Sequence, residues 1–409
     1  MKKFFALLLS LAMVLALVAC GQKKTTTPDD TQTPDDTTPE VEYKIAMITD
    51  YGDITDQSFN QTTYEACKAF AEDNSIEFSY FKPAGDNTAD RVAMIEKAVN
   101  DGFNVIVMPG YAFGGAIVEA APEFPDVKFI ALDVAAGDLL ETAVAKAGEA
   151  YDYTPENWDL NKYVDMSNVY CAVYQEELCG YMAGYAAVKL GYKNLGFLGG
   201  MSVPAVVRYG YGFVQGVDAA AADLGLTDVK LNYIYGGQFF GDADITAVMD
   251  TWYQGGTEVV FACGGGIYTS AVDAAKKANA KVIGVDVDQA GVIAKYAGVD
   301  GMTVTSAMKG LYPATYDTLT DVIVNGNWEK YVGKIETLGL VSGTDPEANY
   351  VQIPMGDGTQ WSDSFTQDDY KAMVKDMFDG KITVSNDTTK APTDFATVIT
   401  VDDQGSIKG

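Results

Sequence analysis

The 409-residue chain has no histidine, and its 28 Lys and Arg are outnumbered two to one by 57 Asp and Glu, giving a formal net charge of −29. Without imidazole there is no Ser-His-Asp or Cys-His nucleophile system, and no His-ligated zinc or haem. Any general acid or base is left to a carboxyl, Lys, Tyr or Cys. The shortage of positive charge excludes nucleic acid as a partner, because phosphate binding needs a basic footprint. No Gly-x-x-x-x-Gly-Lys-Ser/Thr loop occurs, so ATP hydrolysis by a P-loop is excluded too. Long apolar runs are also scarce: the one at the N-terminus falls short of the ~20 residues of a membrane span. Acidity here does not signal disorder, since 48% hydrophobic and 11% aromatic residues supply a large core. Length alone points to two or three domains or lobes.

Cysteine is sparse, with five in the chain. The first closes an address rather than a fold: Lys2 and Lys3, an apolar run over 4–16, then Leu17-Val18-Ala19-Cys20. This resembles a bacterial lipobox, which implies a signal peptide over 1–19, cleavage before Cys20 and lipid on its sulfur. Residues 20–42 continue as a Thr/Pro/Asp tether that cannot bury apolar surface. At ~3 Å per residue it reaches on the order of 60–70 Å. The expected location is the cell membrane, lipid-anchored and facing the extracytoplasmic side. Cys67, Cys171, Cys179 and Cys263 show no C-x-x-C spacing and read as small buried hydrophobes; Cys171 with Cys179 is the one pair worth testing as a disulfide.

From Tyr43 onward, short Val/Ile-rich runs alternate with stretches of helical periodicity. Strands are expected at 43–50, 78–81, 105–108 and 128–132, with helices at 57–74, 88–101 and 116–124. A second series opens with a strand at 169–173 and a long helix, and continues with strands at 194–198, 230–235, 259–262 and 282–285. This pattern predicts an α/β protein of two lobes, each a mostly parallel sheet flanked by helices, with the ligand in the cleft. Lobe 1 spans 43–165 and is completed by part of 286–340; lobe 2 spans 166–285 and is completed by part of 341–409.

Ligands in such sheets bind beyond the carboxyl ends of the strands. Asp50, Asp133 and Asp286 stand at those ends, and Gly264, Gly265 and Gly266 follow the 259–262 strand. A strand-terminal Asp is equally an ordinary cap of the next helix. Three carboxylates converging on a cleft, however, are acceptors only and call for a donor-rich ligand such as a sugar or ribose, while repelling phosphate. After Asp50, either Asp56 or Ser58 caps the next helix. That puts Phe59 and Asn60 in its first turn, an aromatic face and an amide suited to a heterocyclic base; Phe59 as plain core is the competing reading.

Six motifs occur in order: I-T-D-x₅-D-Q-S-F-N-Q, M-P-G-Y-A-F, F-P-D-V-K-F-I-A-L-D, F-A-C-G-G-G, V-I-G-V-D-V-D-Q and V-T-S-A-M-K. Together they resemble the basic membrane protein family, substrate-binding lipoproteins of ABC importers typified by purine nucleoside receptors. The resemblance implies a type I periplasmic-binding-protein-like fold and a non-enzymatic, monomeric receptor that needs no cofactor and delivers a nucleoside to a membrane permease. It also implies that Asp50, Phe59 and Asn60 contact ribose and base, that Asp133 closes its strand at the site, that Asp286 is the ribose-binding carboxylate and that Lys309 is the site lysine. The second stacking aromatic is not placed by the motifs; Tyr268 is the candidate, with Phe113 and Tyr209 behind it. Other readings of the same residues are a pentose or riboflavin-like ligand, a nucleoside hydrolase and a surface adhesin.

Three further features read as structural. Gly210-x-Gly212-x-x-x-Gly216 is one residue too long for a dinucleotide fingerprint. Asp286-x-Asp288-x-x-Gly291 lacks the Glu that a calcium loop needs at its twelfth position, which leaves Asp288 as a helix cap or as a partner that supports the site residues. Glu176 and Glu177 point to different sides of a helix and read as a solvated face.

Overall fold

A computed structural model describes residues 42–408. The leader, Cys20 and the tether up to residue 41 lie outside the described residues. The strands are β1 (Lys44–Ile48), β2 (Glu77–Phe81), β3 (Val105–Pro109), β4 (Lys128–Leu132), β5 (Val169–Tyr174), β6 (Asn194–Gly199), β7 (Lys230–Tyr235), β8 (Val259–Cys263), β9 (Lys281–Asp286), β10 (Thr303–Lys309), β11 (Ile335–Leu338), β12 (Val351–Gln352) and β13 (Thr400–Ser406). They form two sheets. The first runs β11-β5-β4-β3-β1-β2 and the second β12-β10-β9-β8-β6-β7-β13. Every pairing is parallel except that of β12 with β10. The central strands β3 and β8 are buried at every residue, as expected for parallel strands covered by helices on both faces.

One strand changes sheets relative to the sequence reading. Val169–Tyr174, taken as the opening of the second series, pairs with β4 in the register Phe129↔Val169 and so belongs to the first sheet. Its near-continuous burial explains the difficulty: a strand covered on both faces carries no period that says which sheet it joins. The passage between sheets therefore follows Tyr174, along the helix Glu176–Lys189. Two further passages run from β10 to β11 and from β11 to β12. The three passages are stitched to one another: the Gln175 N–H donates to Leu338 O (3.0 Å), Gly310 N–H to Tyr350 O (2.7 Å) and Tyr350 N–H to Gly339 O (3.0 Å).

The glycine run that mimics a nucleotide fingerprint has a packing role. A Cβ on Gly212 or Gly216 would run into the backbone carbonyls of Glu177 and Tyr181, and one on Gly180 or Gly184 into those of Tyr209 and Phe213. The helices Glu176–Lys189 and Pro204–Asp223 therefore lie backbone to backbone. This contact anchors the crossing helix to the second sheet, and it sets where Glu176 and Arg208 stand.

Candidate functional site

A cavity of about 440 Å³ opens where the carboxyl ends of the two sheets face each other. Asp50, Phe59, Asn60, Asp133, Asp286 and Lys309 all line it, so six of the seven ligand-site residues expected from the sequence are brought together. The seventh is not. Tyr268 begins the helix Tyr268–Ala278, is buried in the second sheet's helical layer and meets Tyr296 edge-on at 5.9 Å, so it is not part of the cavity wall. Of the other aromatics considered, Phe113 is core of the first sheet, whereas Tyr209 reaches the cavity.

Sequence reasoning missed the aromatic wall on the second sheet's side. Phe239 and Phe240 sit in the loop between β7 and the helix Ala243–Gln254, and both line the cavity. Phe240 is 56% exposed, so its ring is open to a ligand entering the cavity. The available signal was position: two aromatics between glycines, directly after a strand's carboxyl end.

The helix Phe59–Asn74 sets the first sheet's contribution. Of the two cap candidates, Asp56 does the capping: its carboxylate accepts the N–H of Ser58 (2.9 Å), Asn60 (2.9 Å) and Gln61 (3.1 Å). Ser58 holds the N-cap position without a side-chain capping bond, and its hydroxyl instead donates across the cleft to Asp286 Oδ2 at 2.6 Å. Asn60 donates through Nδ2 to Asp56 (3.1 Å), while its Oδ1 is buried and unpartnered among the described residues. Asp50 Oδ1 accepts the N–H of Tyr51 (2.6 Å) and Gly52 (2.7 Å), and Arg91 Nε donates to its backbone carbonyl at 3.0 Å. Gly110, at φ 122°, closes over Asp50 in a conformation that other residues avoid.

Asp133 and Asp286 share a feature hidden from the sequence. Both end their strands in the left-handed region, at φ 57° and 65°. Such positions are costly for residues with a Cβ and concentrate at functional sites. Asp133 pairs closely with Lys309, whose ammonium also lies 3.5 Å from Glu176 Oε1 and 3.8 Å from Asp286 Oδ1. Burial alone would push the Lys309 ammonium down in pKa, but Asp133, Asp286 and Glu176 together hold it well above its ordinary value. Burial raises Asp286, with Lys309 and the Ser58 hydroxyl opposing; burial likewise raises Asp50, against its backbone donors. Lys309 Nζ stands 4.7 Å from the centroid of Phe59, so that ring carries a cation on one side.

The glutamate pair expected on a solvated face is buried, Glu176 at 0% and Glu177 at 2% exposure. Adjacent helical residues do diverge, but this helix threads between two packed layers and has no free side at its first turn. Glu176 Oε2 accepts from Arg208 Nε at 2.7 Å; Glu177 Oε2 is unpartnered among the described residues, and burial lifts its carboxyl to about 7. Asp288 accepts the N–H of Ala290 (3.0 Å) just before the helix Ala290–Ala297, whose N-cap position is held by Gln289. Cys67, Cys171, Cys179 and Cys263 are all buried free thiols.

Residues 43–344 match the Bmp family model, described as ABC transporter substrate-binding protein PnrA-like. A relative from Lactococcus lactis subsp. cremoris, named ABC transporter nucleoside-binding protein BmpA, is 26% identical over 84% of this chain and 89% of its own. An uncharacterized lipoprotein from Pyrococcus abyssi is also 26% identical, over 73% and 67%. Among solved structures, an ABC transporter solute-binding protein from Aeropyrum pernix K1 superposes with a TM-score of 0.60 at 20% identity, covering 86% of this chain and 90% of that one, a likeness of fold.

Proposed function

The chain belongs to the Bmp family of PnrA-like ABC transporter substrate-binding proteins, and from that premise we propose that its ligand is a nucleoside, with purine nucleosides preferred. As a substrate-binding protein of that class it takes a small molecule and hands it to permease subunits. The observation that carries the nucleoside reading is the composition of one cavity, in which aromatic surface from both sides meets Asn60 Oδ1 and Asp133 Oδ1, acceptors without a partner among the described residues. The base stacks between Phe240 and the face of Phe59 turned away from Lys309. Asn60 reads its polar edge. Asp50 and Asp286 accept from ribose hydroxyls, and Lys309 donates to them while neutralising the surrounding carboxylates. The acidic walls disfavour a phosphate, which separates nucleosides from nucleotides.

Binding is coupled to closure. Ser58 with Asp286, Lys309 with Asp133, and Gln289 Nε2 donating to Gln57 O (3.2 Å) already bridge the two sides. A ligand that touches both sides only in this arrangement favours it by its differential affinity. The site needs no proton shuttle for such work, in keeping with a receptor rather than an enzyme, and the chain acts as a monomer. Relatives named as lipoproteins support anchoring through Cys20.

Calorimetry with inosine, guanosine, adenosine, free bases, ribose and inosine monophosphate tests the proposal. Nucleosides are expected to bind at micromolar or tighter levels, the monophosphate at least tenfold more weakly, and Asp286→Ala to abolish the signal. Absence of binding by every nucleoside overturns the reading; ribose binding as tightly as inosine transfers it to a sugar.

A further inference from the structure

The loop that carries Phe239 and Phe240 is held by a part of the chain outside the family-matched region, which ends at residue 344. The backbone of this loop is pinned on its inner side: Gly236 N–H donates to Gly199 O (2.7 Å), Gly237 N–H to Gly200 O (2.9 Å) and Gly266 N–H to Phe239 O (2.9 Å). Its outer side depends on side chains. Gln238 Nε2 donates to Phe240 O (2.9 Å) and to Asp242 Oδ2 (2.9 Å), which ties the loop's apex to the cap of the next helix. Lys408 completes that tie. It follows β13, a strand added to the second sheet's edge beside β7, and its ammonium donates to Gln238 Oε1 at 2.8 Å and pairs closely with Asp242. Its backbone and Cβ pack against Gly237, where φ is 79° and an added Cβ would collide with them.

Resting on the nucleoside reading, we propose that Lys408 is a positioning residue for the aromatic wall: by fixing Gln238 and Asp242 it sets where Phe239 and Phe240 present their rings, and so tunes affinity for a ligand that carries a flat base. Gln238 is the element through which it acts, because that one amide accepts from Lys408 and donates to the carbonyl of Phe240. The remainder of the C-terminal segment serves the same end by docking β13 firmly. Asp218 accepts the N–H groups of Thr397, Val398 and Ile399 at 2.8, 2.8 and 3.2 Å, and Trp252 Nε1 donates to Gln404 at 3.1 Å. The ammonium thus arrives from a braced strand rather than a loose tail. A small ligand without a base touches the carboxylate side of the cavity and is indifferent to this device.

The test uses full-length Lys408→Met and Lys408→Arg, with Gln238→Leu cutting the same link from the loop side. Hydrogen exchange of amides 236–242 is followed without ligand, and inosine and ribose are titrated by calorimetry. Lys408→Met and Gln238→Leu are expected to accelerate exchange in that segment and to weaken inosine binding by about tenfold, the worth of one charge-assisted bond. Ribose binding stays unchanged, and Lys408→Arg restores both readings. Unchanged exchange in Lys408→Met, or equal weakening of inosine and ribose, overturns the positioning role. If the unaltered protein binds no nucleoside, the ligand reading falls separately, and the exchange arm still decides whether Lys408 positions the loop.

Discussion

Replacing Lys309 with methionine keeps an unbranched side chain, one atom shorter, and removes the ammonium that Asp133, Glu176 and Asp286 share within 4 Å. All four groups are largely buried, so water from the cavity that three of them line replaces the lysine only in part. Removing one partner from a buried ionic cluster costs about 3–5 kcal/mol, because it leaves charge uncompensated in a poorly polarisable setting. At ~2.1 cal/mol/K per residue, a folded unit of roughly 370 residues melts with an entropy near 0.8 kcal/mol/K, so the midpoint should fall by about 4–6 °C. The loss has a defined pH dependence. Glu176 and Asp286 already sit above the ordinary carboxyl range through burial, and loss of the cation raises them further. Groups raised in the folded state favour folding while protonated and oppose it as pH climbs through their folded pKa. The deficit of Lys309→Met is therefore smallest at acid pH and grows as pH rises. Thermal melts of both proteins from pH 5 to pH 8 measure this, and Asp133→Asn added to the variant should recover part of the loss. An equal deficit at every pH would show that packing, not charge, is what Lys309 supplies, and no deficit at pH 8 would refute the buried-cluster argument outright.

Three other outcomes follow from particular contacts. Phe240→Ala should weaken nucleoside binding by about 1–3 kcal/mol, the worth of a stacked base, while Tyr268→Leu leaves affinity unchanged; calorimetry on both variants ranks them. Glu177, lifted to about 7 by burial, ionises in the unfolded chain first, so stability declines as pH rises towards that value. Glu177→Gln should be spared this decline and gain about 2–3 kcal/mol over the parent between pH 5 and 8, read from melting curves. Gly212→Ala drives a methyl into the Glu177 carbonyl and should cost about 1–3 kcal/mol by overpacking, seen as a lowered denaturant midpoint; an unchanged midpoint would mean that the two helices part easily.

Most of the sheet pattern and the carboxylate–lysine part of the site were legible in the sequence, because both rest on local rules. Apolar runs mark parallel strands, and the residue ending each strand faces the cleft, which brought Asp50, Asp133 and Asp286 to one cavity. What escaped depends on contacts between distant segments. β5 is apolar on both faces, so only its pairing with β4 assigns it to a sheet. Phe240 reaches the cavity because its loop bridges to Gly266 across the second sheet. Tyr268, although close to the same glycines in sequence, has already turned into a helix whose first turn faces inward. The burial of Glu176 and Glu177 likewise comes from the layers on either side of their helix, and no local pattern reports that.

In the proposed complex a base lies between Phe59 and Phe240 with its ribose on the carboxylate–lysine side. A crystal structure of the protein with inosine tests it most directly. The purine is expected between those two rings, with a ribose hydroxyl within hydrogen-bond reach of Asp286 and of Lys309, and Asn60 Oδ1 paired with the base. Inosine bound elsewhere, or lying in this cavity with its base away from both rings, would contradict it.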